Sequence, residues 1–493
     1  MLRLRILLAA LLCVALVSVP TLAQTAAPAK QAPAKAPAKS APAKAAPAKA
    51  APAKAAAKAP AVPKPITIPF TQYKLKNGLR VILSEDHTAP TYSIDVCYNV
   101  GSRDERPGRT GFAHLFEHMM YQGSENVGKG EHMLLVQNNG GGMNGTTNND
   151  RTTYYQTLPS NQLDLGLFLE ADRMKSLVIN QANLDNQRNS VQEERRLRMD
   201  NQPYGKTFEA IDGTTYDNFA YKHSVIGSME DLNAATVDDV ASFFKTYYAP
   251  NNAVVTLVGD FNSEEALAKV RKYFEGIPAQ PAPPAVDMTE PEQTAERRKA
   301  LEDAFARQPR LDIVYKIPAG NTADWYALSV LARVLASLQS SRLYQKLVKE
   351  KEVATGAGGG VDLRRGPSLF QFGISVRPGK DFAEVEKLLY EEVERVKNEP
   401  VADWELEKVY AGVRRQRAQA LQSTLYRSFL LGDFAVVYND PSLINSFEAK
   451  TRKVTKADIQ RVAQTYLKDT NRTVITTTPK AAGPGARPSG AGQ

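Results

Sequence analysis

His114 and His118 stand four residues apart in TGFAHLFEHMMYQG (110–123), and Glu117 immediately precedes the second of them. On a helix, positions four apart share a face, so both imidazoles reach a single ion and Glu117 lies beside them. Zinc suits such a site, because a catalytic zinc takes three protein ligands, often two histidines and a carboxylate, and keeps a fourth position for water. A glutamate next to that water is placed to act as a general base. The same segment carries Phe112, Leu115, Phe116 and Met119, the apolar stripe of an amphipathic helix, so two half-buried histidines with no metal are the alternative reading. The chain has only five histidines.

The elements that must hold this helix can be read on either side of it. YKLKNGLRVIL (73–83) sets Asn77-Gly78 between two short apolar runs, which predicts a hairpin whose two turn residues both take positive φ. YSIDVCYNV (92–100) alternates apolar and polar residues and predicts a half-buried strand. Helical periodicity covers 161–178, 183–200 and TVDDVASFFKTYY (236–248), and NAVVTLVGDF (252–261) reads as a buried strand. A proline-rich stretch from Gly276 to Gln293 interrupts the pattern and predicts a linker. Beyond it, DIVYKIP suggests a strand, 323–350 one long helix, LFQFGISVRP a strand, and 381–398 and 402–424 two further helices.

TKADIQRVAQTYLKDTNRTVI (455–475) aligns without a gap on TVDDVASFFKTYYAPNNAVVT (236–256). Thr236, Asp239, Thr246, Tyr247, Asn252 and Val255 recur as Thr455, Asp458, Thr465, Tyr466, Asn471 and Val474. A repeat at this spacing implies two similar α+β domains rather than a solenoid. The expected organisation is a signal peptide at 1–23, an Ala/Pro/Lys-rich linker at 24–65, a catalytic domain at 66–275, an interdomain linker at 276–300, a second domain of the same fold at 301–479 and a disordered tail at 480–493.

Arg3 and Arg5 precede an apolar run from Ile6 to Val17, and Thr21-Leu22-Ala23 supplies small residues for cleavage after Ala23. That run is too short for a comfortable membrane span and no later one is longer, so a periplasmic or secreted protein without a stable span is expected. With Cys13 lost in the leader, Cys97 has no intrachain partner. The formal charge of +9 does not indicate nucleic acid. Arg3, Arg5 and eight lysines within 1–64 carry +10 with no acid, which leaves −1 for the remaining chain. The Lys-rich repeats would act as a spacer or touch an anionic surface.

His114-Leu115-Phe116-Glu117-His118 matches the inverted zincin motif, and VGSRDERPGRTGFAHLFEHMMYQGS (100–124) resembles the pitrilysin/insulinase family of zinc metallopeptidases. The similarity runs from about residue 68 to 478 and is to the single-repeat bacterial subgroup and to mitochondrial processing peptidase subunits. The resemblance implies an α+β fold of two similar domains, each a mixed or antiparallel sheet packed with helices, and a two-bowl chamber that excludes folded proteins. It implies Zn2+ held by His114, His118 and a glutamate on a later helix, three residues after a valine. SVQEERR (190–196) makes that residue Glu194, since at about 100° per residue Glu194 flanks the Leu184/Val191 stripe and Glu193 points away. Glu117 becomes the general base.

Further implications attach to individual positions. In GGGMNGTTNNDRTTYY (140–155), Asn144 and Gly145 match an edge strand that pairs with the substrate backbone. Gln187 stands where relatives often carry a glutamate supporting the site, so weaker zinc binding or a compensating group is expected. Active relatives supply an arginine and, seven residues later, a tyrosine from the facing half; Val348 and Thr355 occupy those positions, and nearby Arg342 and Tyr344 diverge on a helix. The expected protein is an exported endopeptidase acting on peptides or unfolded segments, in a heterodimer with a homologous subunit carrying Arg and Tyr. The alternative is a non-catalytic or weakly active subunit of a peptidase-like complex.

Overall fold

The computed structural model describes residues 66–480. The expected leader and Ala/Pro/Lys-rich linker lie outside the described residues, as does the tail except Lys480. Among the described residues eleven strands form two sheets. The first contains β1 (Thr71–Lys74), β2 (Arg80–Glu85), β3 (Thr91–Tyr98), β4 (Gly142–Thr147), β5 (Thr152–Pro159) and β6 (Ala253–Gly259), in the order β1-β2-β6-β3-β5-β4. The second contains β7 (Arg297–Asp303), β8 (Arg310–Ile317), β9 (Ala354–Val361), β10 (Ser368–Val376) and β11 (Arg472–Pro479), in the order β7-β11-β8-β10-β9.

Apart from β1, the two orders are the same, and so are the directions. β2 runs parallel to β6 as β7 does to β11, and the other neighbours are antiparallel. The repeated residues do the same work in each copy. Thr236 and Asp239 close a capping box on the helix Val237–Tyr247, and Thr455 and Asp458 close one on Lys456–Tyr466. Asn252 Nδ2 donates to the carbonyls of Tyr247 and Asn99, and Asn471 Nδ2 to those of Tyr466 and Lys316, so each asparagine ties the end of its helix to the end of a strand, just past β3 in one copy and within β8 in the other. The expected duplicated α+β fold is borne out.

Several local expectations need correction. The β1–β2 hairpin forms, but only Gly78 has positive φ (+88°). The Gly78 amide donates to the Leu75 carbonyl and the Leu75 amide to the Leu79 carbonyl, a longer loop closed by a bulge glycine rather than a two-residue turn. β3 is buried on both faces, every residue except Thr91. Its second face is covered by the helix Thr424–Val437, whose Leu431 and Phe434 pack with Ile82, Cys97, Val254 and Val258. Polar Ser93 and Asp95 therefore point into a packed layer rather than to water, and Thr153 Oγ1 donates to Asp95 at 2.5 Å.

The exchange is reciprocal, because the helix Gly205–Thr215 from the first half lays Ala210 and Ile211 on Val314, Leu369 and Ile475 of the second sheet. The expected 323–350 helix ends at Ala336; Ser337 to Ser341 break it, and a π-turn occupies Tyr344–Glu350. The expected helix at 402–424 ends at Ala420, and Ser423 caps a new one, its side chain accepting from the Tyr426 amide. β7 begins at Arg297, inside the stretch expected to be linker, because residues with little apolar pattern pair in parallel with β11. Among the described residues no helix is long and apolar enough to cross a membrane.

Candidate metal centre

The helix Phe112–Met119 is fixed by the face opposite its histidines. Phe116 packs on Tyr248 with ring centroids 4.4 Å apart and stacks on Phe244 at 5.8 Å, and Phe112 meets Phe243 at 6.2 Å. Phe112, Leu115, Phe116 and Met119 are buried. Each such side chain contributes about 1.5–3 kcal/mol relative to exposure, which sets the roll of the helix about its axis. With that roll fixed, His114 and His118 share the other side, their rings edge to face at 4.9 Å.

A second helix, Gln181–Arg195, brings Glu194 to them. Glu194 Oε2 lies 3.2 Å from His118 Nε2 and 3.6 Å from His114 Nε2. Metal-ligand bonds of about 2.0–2.1 Å in tetrahedral geometry separate ligand atoms by roughly 3.3 Å, so this donor set fits zinc. Among the described residues His114, His118 and Glu194 are the one group of three or more His, Cys, Asp or Glu side chains close enough to hold an ion. Glu193, one residue earlier, is exposed and pairs with Arg196 at 2.6 Å. The structure thus brings Glu194, and not Glu193, to the histidines.

The electrostatics favour the ligand forms. Burial and the neighbouring His118 hold His114 down at about 3, which leaves a neutral imidazole with a free lone pair. Burial pushes Glu194 up, but its hydrogen bond with His118 and the nearby His114 and Arg198 outweigh it, and the carboxyl sits below its ordinary value. Arg198 Nη1 meets Glu194 Oε1 at 2.5 Å, so one carboxylate oxygen is occupied while the other faces the histidines. Gln187 lies two turns earlier on the same helix, and its amide donates to Asn186 Oδ1 at 2.7 Å rather than to either histidine.

Glu117 stands between this set and the sheet edge. Thr147 Oγ1 donates to Glu117 Oε2 at 2.7 Å, and burial raises the Glu117 pKa against the pull of that hydrogen bond. That contact comes from β4, which among the described residues pairs only with β5 and so leaves one edge free. Asn144 lies in the middle of β4 opposite Tyr155, and its Oδ1 accepts from the Gly145 amide at 2.9 Å. A Cβ on Gly145 would sit 3.0 Å from Glu117 Cγ and 3.3 Å from Tyr121 Oη, so this glycine makes room for Glu117 itself. Thr147 was missed by sequence reasoning. Strand alternation puts it on the same face as Gly145, but nothing in the sequence sets that face against Glu117.

Where active relatives are expected to carry the arginine and tyrosine, the second half holds Val348 and Thr355. Val348, in the π-turn, packs against the second core, the buried cluster built on Leu311, Ile313, Phe370 and Phe372 of the second sheet, and Thr355 Oγ1 donates to Gln308 Oε1 at 3.0 Å. Arg342 is committed to Glu405 through two hydrogen bonds of 2.8 and 2.7 Å.

A duplicated α+β fold with an inverted His-x-x-Glu-His helix and a third carboxylate on a later helix defines an inverted zincin scaffold. Residues 80–228 match the family model "Insulinase (Peptidase family M16)" and residues 234–413 match "Peptidase M16 inactive domain". The chain belongs to peptidase family M16. It is 31% identical to the zinc protease PqqE of Helicobacter pylori over 404 residues, 81% of this chain and 91% of that one. It is 26% identical over 200 residues to the mitochondrial-processing peptidase subunit beta of Bos taurus, 41% of this chain and 40% of that one. The crystal structure of a protease from Helicobacter pylori superposes with a TM-score of 0.80 at 30% identity, covering 84% of this chain and all of that one. The periplasmic protease PqqL from Escherichia coli shares the fold at a TM-score of 0.70 and 18% identity, over 85% of this chain and 48% of that one.

The two adjacent glutamates allow a direct test. A missing ligand releases metal, whereas a missing surface charge costs within about 0.5 kcal/mol. Glu194→Ala is therefore expected to lose zinc on dialysis and Glu193→Ala to keep it, measured by metal analysis of the purified variants. Zinc retained by Glu194→Ala and lost by Glu193→Ala would reverse the assignment.

Proposed function

We propose that this protein is an exported zinc-dependent endopeptidase that hydrolyses peptides or unfolded segments. The observation that carries the reading is the His114, His118 and Glu194 donor set, with Glu117 on the same helix turn against a free sheet edge. A zinc ion bound there would supply Lewis acidity and make a water nucleophilic near neutral pH. A substrate strand adds to the edge of β4 through main-chain hydrogen bonds, which gives affinity largely independent of substrate sequence. Glu117, oriented by Thr147, removes a proton from the attacking water and returns it to the leaving amine. A pKa raised by burial suits a group that must both take and return a proton near neutrality.

The relatives named zinc proteases support zinc as the metal, and the leader expected at 1–23 together with the periplasmic structural relative supports export. A second reading, a weakly active subunit that depends on a homologous partner, is favoured by Val348 and Thr355. The bovine relative's name, a beta subunit, is in keeping with it. The testing experiment is zinc content and peptide hydrolysis of the purified protein, before and after chelation. One zinc per chain, with hydrolysis lost on chelation and restored by zinc, is expected; hydrolysis indifferent to chelation would remove the reading.

The Lys-rich stretch enters as a spacer or as contact with an anionic surface. Deleting residues 24–64 is expected to leave peptide hydrolysis unchanged and to weaken retention on anionic vesicles at low salt, since such attraction is screened within about 10 Å at 0.1 M salt. Loss of hydrolysis in the folded, truncated protein would assign the stretch to the catalytic unit.

A further inference from the structure

The helix that carries both histidines begins without a side-chain cap of its own. Its N-cap is Gly111, at φ +84°, and the acceptor for its first amides comes from outside the helix. Glu105 Oε2 accepts from the Gly111 amide and Glu105 Oε1 from the Ala113 amide, each at 2.8 Å. The Glu105 side chain is fully buried, and its third donor is His223 Nε2, 2.9 Å from Oε2. His223 Nδ1 faces the Phe219 carbonyl at 2.9 Å, and the ring stacks on Phe219 at 4.4 Å. A carbonyl only accepts, so the ring donates on both sides when it carries both protons.

The segment that follows His223 fastens the same helix end and reaches the other ligand helix too. Gly111 and Gly227 cross backbone to backbone: a Cβ on Gly111 would lie 2.6 Å from the Ile226 carbonyl oxygen, and one on Gly227 would lie 2.4 Å from that of Thr110. The Ser228 amide donates to Thr110 Oγ1 at 3.1 Å, and the Thr110 amide to Asp231 at 3.0 Å. On the far side Arg195, the residue after Glu194, donates to the Gly227 carbonyl at 2.6 Å. Arg188, on the same helix, donates to the carbonyls of Leu232 and Ala235. One short stretch, 223–235, therefore holds the start of the histidine helix and the length of the Glu194 helix.

We propose that Glu105 and His223 are positioning residues for the metal set, locking the N-terminus of the helix Phe112–Met119 to the segment that also holds Glu194, and thereby fixing the spacing of the three ligands. The proposal rests on the metal reading above. The leverage is mechanical. An eight-residue helix is about 12 Å long, so a tilt of about 5° carries an imidazole by roughly half an ångström. Metal-ligand distances tolerate only about 0.2 Å. Without Glu105, three donors lose their acceptor and the helix start is free to tilt.

The test compares zinc affinity, by chelator competition, with thermal stability and with the visible spectrum of the cobalt(II) form. Glu105→Gln puts an amide group against donors and is expected to weaken zinc by about 10- to 100-fold and to shift the cobalt spectrum. His223→Asn, which leaves both backbone acceptor bonds in place, is expected to weaken zinc by roughly 10-fold and carries the test if Glu105→Gln does not fold. Asp312→Asn removes a buried carboxylate bound to Arg310 in the second half; it is expected to lower the melting temperature with no change in zinc affinity. Zinc affinity within twofold of the unaltered protein in the folded Glu105 or His223 variant overturns the proposal, as does an equal loss of zinc in Asp312→Asn. If the unaltered protein itself binds no zinc, the metal reading falls and this proposal with it.

Discussion

Glu117→Gln is expected to keep its zinc and lose its hydrolysis. In the proposed mechanism the side chain is a base and not a ligand: its carboxylate is held by Thr147 on the sheet edge, while the three candidate donor atoms come from His114, His118 and Glu194. Glutamine nearly matches glutamate in volume and still accepts from Thr147 through its amide oxygen, so the helix and the ligand spacing are expected to survive. What is lost is the ability to take a proton, a contribution of roughly 100- to 10,000-fold to turnover. Metal analysis and steady-state hydrolysis of an unstructured peptide, run on the same preparations, check both halves. Full activity in the variant removes Glu117 from the mechanism; loss of zinc would make it a ligand or a support for one.

The candidate metal set is legible in the sequence to the extent that it is local. His114, Glu117 and His118 lie within one helix turn, where spacing alone dictates a shared face. Glu194 needed the family resemblance to be sought at all, and then the helix phase of Leu184 and Val191 to be separated from Glu193. Glu105 and His223 left no trace, since 118 residues separate them and neither sits in a periodic pattern of its own. The fold shows the same division. The duplication was visible because the capping threonines, aspartates and asparagines recur in register. β3 was misread because alternation reports one apolar face and cannot foresee that the helix Thr424–Val437, from the far end of the chain, will cover the other. That helix escaped notice because TLYRSFLLGDFAVV is apolar on most sides, as a helix packed between two layers must be, and so shows little amphipathic period.

The other large effect concerns what the chain lacks. A peptidase of this geometry needs donors for the negative charge that develops on the scissile carbonyl oxygen, and removing one such donor typically lowers turnover by roughly 100- to 1000-fold. Val348 is an aliphatic side chain packed on the second core, and Thr355 is bound to Gln308, so neither supplies what an arginine and a tyrosine would. Arg342 cannot take over at low cost, because its Nε and Nη2 both donate to Glu405, which also accepts from the Ala402 amide at the start of the helix Asp403–Ala420. Releasing it would strand a buried carboxylate. Two copies of this chain would therefore carry zinc and a general base but not the electrophilic pair. The chain alone is expected to hydrolyse peptides slowly, and addition of a homologous exported subunit with Arg and Tyr at these positions to raise turnover by about 100-fold or more without changing the zinc content of this chain. Hydrolysis by a homogeneous preparation at full rate, unaltered by any partner, would mean that the electrophile lies within this chain and that the heterodimer is not required.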